Sequence, residues 1–167
     1  MKLYRTELDK GITKKLFDID VKQFQFDDLN FYEKLIQCKL TAEQNSSGYY
    51  ISGTLKIPFE QTCDRCLTSF QDLKNTDFKF LFTDKNELLQ DDSDDIIYLS
   101  KDKHEIDFKS IFSEIIFLEK QIKSLCKEDC RGLCYHCGTN LNDGICGCPI
   151  DKTKDNLWEE LKILKGK

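Results

Sequence analysis

Residues 14–26 alternate in polarity, with Leu16, Asp18 and Asp20 on one parity and Phe17, Ile19 and Val21 on the other. A period of two predicts a strand with one buried face. Two further strands are predicted at 32–40 and 49–59. They flank Asn45-Ser46-Ser47-Gly48, a turn-forming cluster that makes them an antiparallel hairpin. Pro58 is placed near the end of its strand, where a missing N–H is tolerated. Segments 67–73, 77–83 and 96–99 also read as strand, so Cys63-Asp64-Arg65-Cys66 falls at a tight turn between strands. Residues 107–122 change to a helical period, with Asp107 as the N-cap. Phe108, Ile111, Phe112, Ile115, Ile116 and Ile122 share one face, interrupted by Glu119. A last helix is predicted over 155–164, with Leu157, Leu161 and Leu164 on one face. Both apolar stripes are read as core packing.

These elements predict an α+β domain: an antiparallel β-sheet with a packing helix, followed by a C-terminal Cys-rich zinc-binding module. The expected division is a core over 1–122, with an inserted acidic loop at 84–95, and a metal module with the C-terminal helix over 123–167. A chain of 167 residues, 40% hydrophobic and 33% charged, has the balance of a globular protein. The formal net charge is −5, and the stretch 84–95 accounts for all of it. An acidic chain gains no general attraction to nucleic acid. Without a neighbouring His or a glycine-rich turn, the acidic stretch reads as a solvated loop rather than a pair of catalytic carboxylates.

Lys2, Arg5, Glu7, Asp9 and Lys10 interrupt the N-terminus, and the longest apolar run is Ile115 to Leu118. The expectation is a cytoplasmic protein with no targeting segment and no membrane span. That changes the meaning of nine cysteines. In a reducing compartment, clustered thiols hold metal more often than disulfides.

Six of them form the series Cys126, Cys130, Cys134, Cys137, Cys146 and Cys148. In Cys134-Tyr135-His136-Cys137-Gly138, two thiolates converge on one ion, and Gly138 eases the sharp turn behind them. Asn142-Asp143-Gly144 then brings back Cys146 and Cys148. Zinc takes four such ligands in a tetrahedron. With Cys63 and Cys66, eight thiols are available, enough for one or two structural Zn2+ ions. Two pairings stay open. Cys134, Cys137, Cys146 and Cys148 close one local site, leaving Cys63, Cys66, Cys126 and Cys130; or the two CxxC turns meet face to face, as in a zinc ribbon. Competing readings are a helical cysteine stripe at 126, 130 and 134, a disulfide cluster, and a redox dithiol at Cys63/Cys66. The first conflicts with Gly132, and the last with the strand-like sequence that follows Cys66. Cys38 reads as a small core hydrophobe, and His136 as exposed. All-sulfur ligation points to closed, non-catalytic sites, and no phosphate loop or nucleophile motif accompanies them. No small-molecule substrate is expected.

CDRCL at 63–67, placed after a hairpin, together with LCKEDCRGLCYHCGTNLNDGICGC at 125–148, resembles the YceD family of large ribosomal RNA subunit accumulation proteins. Tyr135 stands where members of this type usually carry Pro. The resemblance implies a non-enzymatic factor in ribosome biogenesis, linked to synthesis, processing or accumulation of 23S rRNA. Its implied partner is rRNA or a large-subunit ribosomal protein. Some members lack the tail cysteines, which implies that metal supports the fold. Lys120, Lys123, Lys127 and Arg131 form the best local basic patch for such a partner, while the acidic loop is suited to a basic protein. The rival functions are a zinc-stabilised protein-interaction module with no ribosomal role and a thiol redox protein using Cys63/Cys66.

Overall fold

A computed structural model describes residues 1–85 and 95–148. The helix expected at 155–164, and all but Asp84, Lys85 and Asp95 of the acidic stretch, lie outside them. The long hairpin dominates: β4 (Leu35–Asn45), β5 (Gly48–Thr62) and β6 (Ser69–Thr83) run antiparallel in succession. β2 (Ile12–Asp20) adds beside β4, β3 (Asn30–Phe31) pairs with β5, and β7 (Ile96–Tyr98) joins β6 in parallel. The sheet is therefore mixed but mostly antiparallel. A separate two-stranded sheet pairs β1 (Lys2–Tyr4) with β8 (Glu105–Asp107), and among the described residues the helices are few: α1 (Arg5–Leu8), one 3-10 turn at Val21–Gln23, and α2 (Lys109–Leu118).

The alternation in β2 is realised: Ile19 is buried while Leu16 is 70% exposed. Val21, however, begins the 3-10 turn, where the Asp20 carboxylate accepts the Lys22 N–H at 2.9 Å. The segments expected at 67–73 and 77–83 merge into one strand, which begins only at Ser69 because Leu67 and Thr68 belong to the turn before it. Lys74, Asn75 and Thr76 look like a break in the sequence, yet each pairs across the ladder with Ile57, Lys56 and Leu55. Pro58 is not at the strand end, because β5 continues to Thr62. It lies past the last β4–β5 pair, Gln37 with Lys56, so β4 makes no demand on its missing N–H. Its carbonyl accepts the Tyr32 N–H at 3.1 Å.

The core lies between the sheet and α2. Phe78, Phe108 and Phe112 form its centre, with ring centroids 5.3 Å apart for Phe78–Phe112 and 5.2 Å for Phe108–Phe112. Gly53 makes room for them: a Cβ there would stand 2.7 Å from Phe78 Cζ. Cys38 is fully buried in this core, and burial pushes its thiol up to about 12.

α2 is shorter than the predicted 107–122. Asp107 closes β8 instead of capping the helix directly, although its carboxylate accepts the Lys109 N–H at 2.9 Å. Phe112 and Ile116 are buried as expected, but the helix stops at Leu118. Ile122, expected on the buried stripe, is past that end and 106% exposed. Among the described residues, no helix is long and apolar enough to cross a membrane.

Phe112→Ala is expected to cost about 3–5 kcal/mol in urea unfolding, whereas Ile122→Ala stays within about 0.5 kcal/mol.

Candidate metal centres

β5 and β6 end at the pair Thr62–Ser69, so residues 63–68 form the hairpin tip. Two backbone bonds shape that tip: Leu67 N–H to Cys63 O (2.9 Å) and Cys63 N–H to Thr68 O (3.0 Å). The same figure recurs seventy-one residues later. Gly138 N–H donates to Cys134 O (2.8 Å), Cys134 N–H donates to Thr139 O (2.8 Å), and Leu133 bridges Asn140 as Thr62 pairs Ser69. The residue after each second cysteine takes a left-handed backbone, Gly138 at φ 73° and Leu67 at φ 59°. A hydroxyl then meets each second thiol: Thr68 Oγ1 lies 3.4 Å from Cys66 Sγ, and Thr139 Oγ1 lies 3.2 Å from Cys137 Sγ. The repeated unit is thus C-x-x-C-x-T, and the threonine was the sequence signal that cysteine spacing alone passes over.

The two knuckles do not share a cluster. Cys63, Cys66, Cys126 and Cys130 bring their sulfurs within 4.8 Å of one another, and Cys134, Cys137, Cys146 and Cys148 do the same. This is the first of the two pairings; the ribbon pairing is not formed. In the first cluster, Cys63 and Cys130 sulfurs are 3.7 Å apart and those of Cys66 and Cys126 are 3.6 Å apart. A tetrahedron with metal–sulfur bonds of ~2.3 Å has edges of ~3.8 Å, so these separations suit a single ion. All nine thiols are free, and the 126–134 stretch forms no helix.

The clusters differ in setting. Cys63, Cys66 and Cys130 are buried and packed by Phe70, Leu125 and Leu133. In the second cluster Cys134 is buried, Cys137 is exposed, and Cys146 and Cys148 are half-buried. His136 is exposed, with its ring 4.1 Å from that of Tyr135.

Acidity is divided in a regular way. Burial works to raise the Cys63 thiol, but backbone N–H groups of Cys126, Cys66 and Arg65 outweigh it and bring it down to about 6. The Thr68 hydroxyl and N–H lower Cys66. The N–H groups of Cys137 and His136 lower Cys134, and the Thr139 hydroxyl and N–H bring Cys137 to about 6. Cys126, Cys146 and Cys148 move the other way. Burial and then the neighbouring sulfurs push Cys126 up to about 12, and Cys137 with burial does the same for Cys148. For Cys146, the Cys148 N–H pulls down, but the Cys134 thiol and burial prevail. The knuckle donors therefore favour thiolate, while Cys126, Cys146 and Cys148 bear the crowding of negative charge, which a divalent cation relieves.

The tail is fastened to the tip by polar contacts. Asp64 N–H donates to Ser124 O (2.8 Å), and Ser124 N–H donates to Asp64 Oδ2 (2.7 Å). Arg65 donates to Cys130 O at 2.9 Å, so this arginine is spent on structure. Leu133 N–H reaches Arg65 O at 3.1 Å, and a Cβ on Gly132 would stand 3.0 Å from that same oxygen. Asn142, from the turn inside the second cluster, donates to Cys130 Sγ at 3.3 Å and ties one cluster to the other. Lys120, Lys123, Lys127 and Arg131 are all exposed, and no ion pair among the described residues engages them. Cys63 and Cys66 sit in a buried hairpin turn, not at the helix N-terminus that activates a redox dithiol.

A family described as "Large ribosomal RNA subunit accumulation protein YceD" matches residues 51–165. The chain is 31% identical over 82 residues to the "Large ribosomal RNA subunit accumulation protein YCED homolog 1, chloroplastic" of Arabidopsis thaliana, covering 45% of this chain and 25% of that protein. For the protein of the same description from Zea mays the figures are 36% over 76 residues, 45% and 24%. An uncharacterized protein of Mycobacterium tuberculosis is 25% identical over 107 residues, 64% of this chain and 52% of that one. The matches thus span about a quarter to a half of these relatives' lengths. No solved structure matches.

The two knuckles make opposite substitutions informative. Leu67 is 63% exposed and strained, so Leu67→Gly is expected to stabilise by about 1 kcal/mol. Gly138 has open space for a side chain but the same backbone, so Gly138→Leu is expected to cost about 1–2 kcal/mol. Thermal unfolding of both variants at equal metal content measures this.

Proposed function

The chain belongs to the YceD family, and on that premise we propose that it is a non-catalytic factor in large ribosomal subunit biogenesis that supports the accumulation of 23S rRNA. The observation that carries this reading is the docked hairpin tip and cysteine tail, both of which fall within the matched residues 51–165. The matching relatives that carry a functional description are named for accumulation of large-subunit ribosomal RNA.

In this reading each cluster holds one structural Zn2+ ion: Cys63, Cys66, Cys126 and Cys130 the first, Cys134, Cys137, Cys146 and Cys148 the second. The ion supplies a crosslink. Structural zinc sites of this type contribute on the order of 10–16 kcal/mol of apparent binding energy at neutral pH. Four thiolates leave no open position for water, so the sites shape a surface and transform nothing. Reducing conditions in the cytoplasm keep those thiolates available.

In this reading Lys120, Lys123, Lys127 and Arg131, exposed on the segment that leads into and carries Cys126 and Cys130, form a basic edge. Their unpaired cations suit contact with rRNA phosphates, each neutralised phosphate adding to affinity and to its salt dependence. A net charge of −5 gives the chain no general attraction to RNA, so contact calls for a local basic face of this kind.

Depletion is expected to leave immature 23S rRNA and a deficit of large subunits in sedimentation profiles; unchanged profiles would sink the reading. Elemental analysis of the purified chain is expected to return two zinc ions per chain. One ion or none would overturn the two-site arrangement while leaving the ribosomal role standing.

A further inference from the structure

The C-terminal end of α2 leaves apolar surface uncovered. Phe117, Leu118 and Ile122 are exposed by 59, 73 and 106%. Phe117 and Ile122 border one depression, whereas Leu118 borders a different hollow with Phe80 and Ile115. Phe117 borders a hollow with Phe26 and Leu29. Ile122 borders a groove of about 310 Å³, and the two share Asp28 and Leu29. This continuous depression runs between the loop before β3, the outer end of β5 and the link from α2 to the cysteine tail. An exposed apolar surface of this kind on a concave site marks an interaction face.

The charge around it identifies the occupant. Asp27, Asp28 and Glu60 are exposed along the depression, and no ion pair or hydrogen bond among the described residues engages their carboxylates. Lys120 is the single cation of the lining. α2 ends here with no basic residue in its last turn, so the partial negative charge of its C-terminal carbonyls has no side-chain counterpart in that turn. Three unpaired carboxylates beside exposed Phe117 and Ile122 disfavour RNA phosphates. They equally disfavour a second copy of a chain with net charge −5.

We propose that this groove docks a lysine- and arginine-rich segment of another protein, one apolar side chain of which packs against Leu29, Phe117 and Ile122 while its cations meet Asp27, Asp28 and Glu60. The proposal deepens the biogenesis reading and rests on it for the setting: protein is bound at the groove, and RNA at the basic edge of Lys123, Lys127 and Arg131, with Lys120 on the border between them.

The probe is a short fluorescent peptide of lysine and arginine around one leucine, titrated into the full zinc-loaded chain and read by anisotropy. The double variant Asp28→Lys with Glu60→Lys is expected to weaken binding about tenfold or more. Phe117→Ser, and a peptide lacking the leucine, are each expected to weaken it several-fold. The control pair Glu43→Lys with Asp102→Lys removes the same charge outside the groove and is expected to leave binding nearly unchanged. All four positions are exposed, and retained zinc content verifies folding. Equal loss in both double variants means diffuse charge attraction and overturns the proposal, as does absence of binding. Displacement of the peptide by a single-stranded RNA overturns it in favour of a nucleic-acid occupant. Failure here together with an rRNA defect on depletion sinks the groove alone; a normal rRNA profile with intact peptide binding sinks the ribosomal reading alone.

Discussion

A β-hairpin fifteen residues long on each side is hard to hold at its far end, since the core around Phe78, Phe108 and Phe112 covers only one part of it. The convergence of Cys63, Cys66, Cys126 and Cys130 answers that difficulty. It ties the tip to chain sixty residues further on, in a buried pocket with Phe70, Leu125 and Leu133. The described chain past α2 is fastened to the sheet at this junction. The Asp64–Ser124 pair and the Arg65 bond to the Cys130 carbonyl only have a place to form once the sulfurs have met. The groove beside Ile122 and the basic edge from Lys120 to Arg131 both lie on the segment that the junction anchors.

The second knuckle reuses the first's design at a different depth. Both carry C-x-x-C-x-T, the same pair of backbone bonds and a left-handed residue behind the second cysteine. The first is built into the sheet and buried. The second stands on the first, through Leu133 and Gly132 against the Arg65 carbonyl, and leaves Cys137 exposed. Asn142 couples them, because the turn that closes the outer cluster also donates to a sulfur of the inner one. Disturbance of the outer site is thereby felt at the hairpin tip.

Features set by near neighbours were legible in the sequence. The parity of β2, the turn at 45–48, the burial of Cys38 and the knuckle at 134–138 all follow from local pattern, and the structure has each. Features set by distant partners were not. Spacing offered two ways to group eight thiols, and only the docking of the tail on the hairpin tip selects one. The break suggested by Lys74, Asn75 and Thr76 vanishes because a ladder partner is present for each. The helical stripe ran past its true end because Ile122 fits the period, while the chain there has already turned toward Ser124 and Asp64. The groove has no signature in sequence, since Asp28, Glu60 and Phe117 come from three separate segments.

The sixty-residue gap between Cys66 and Cys126 also has a meaning in time. A chain made at ~5–20 residues per second exposes the first knuckle for on the order of several seconds before its partners leave the synthesis tunnel. The outer site needs no such wait, because its four ligands lie within fifteen residues of one another. The inner junction is therefore a late event in the birth of the protein. During that interval the two thiols of the nascent hairpin stand without their later partners, open to oxidants and to stray metals.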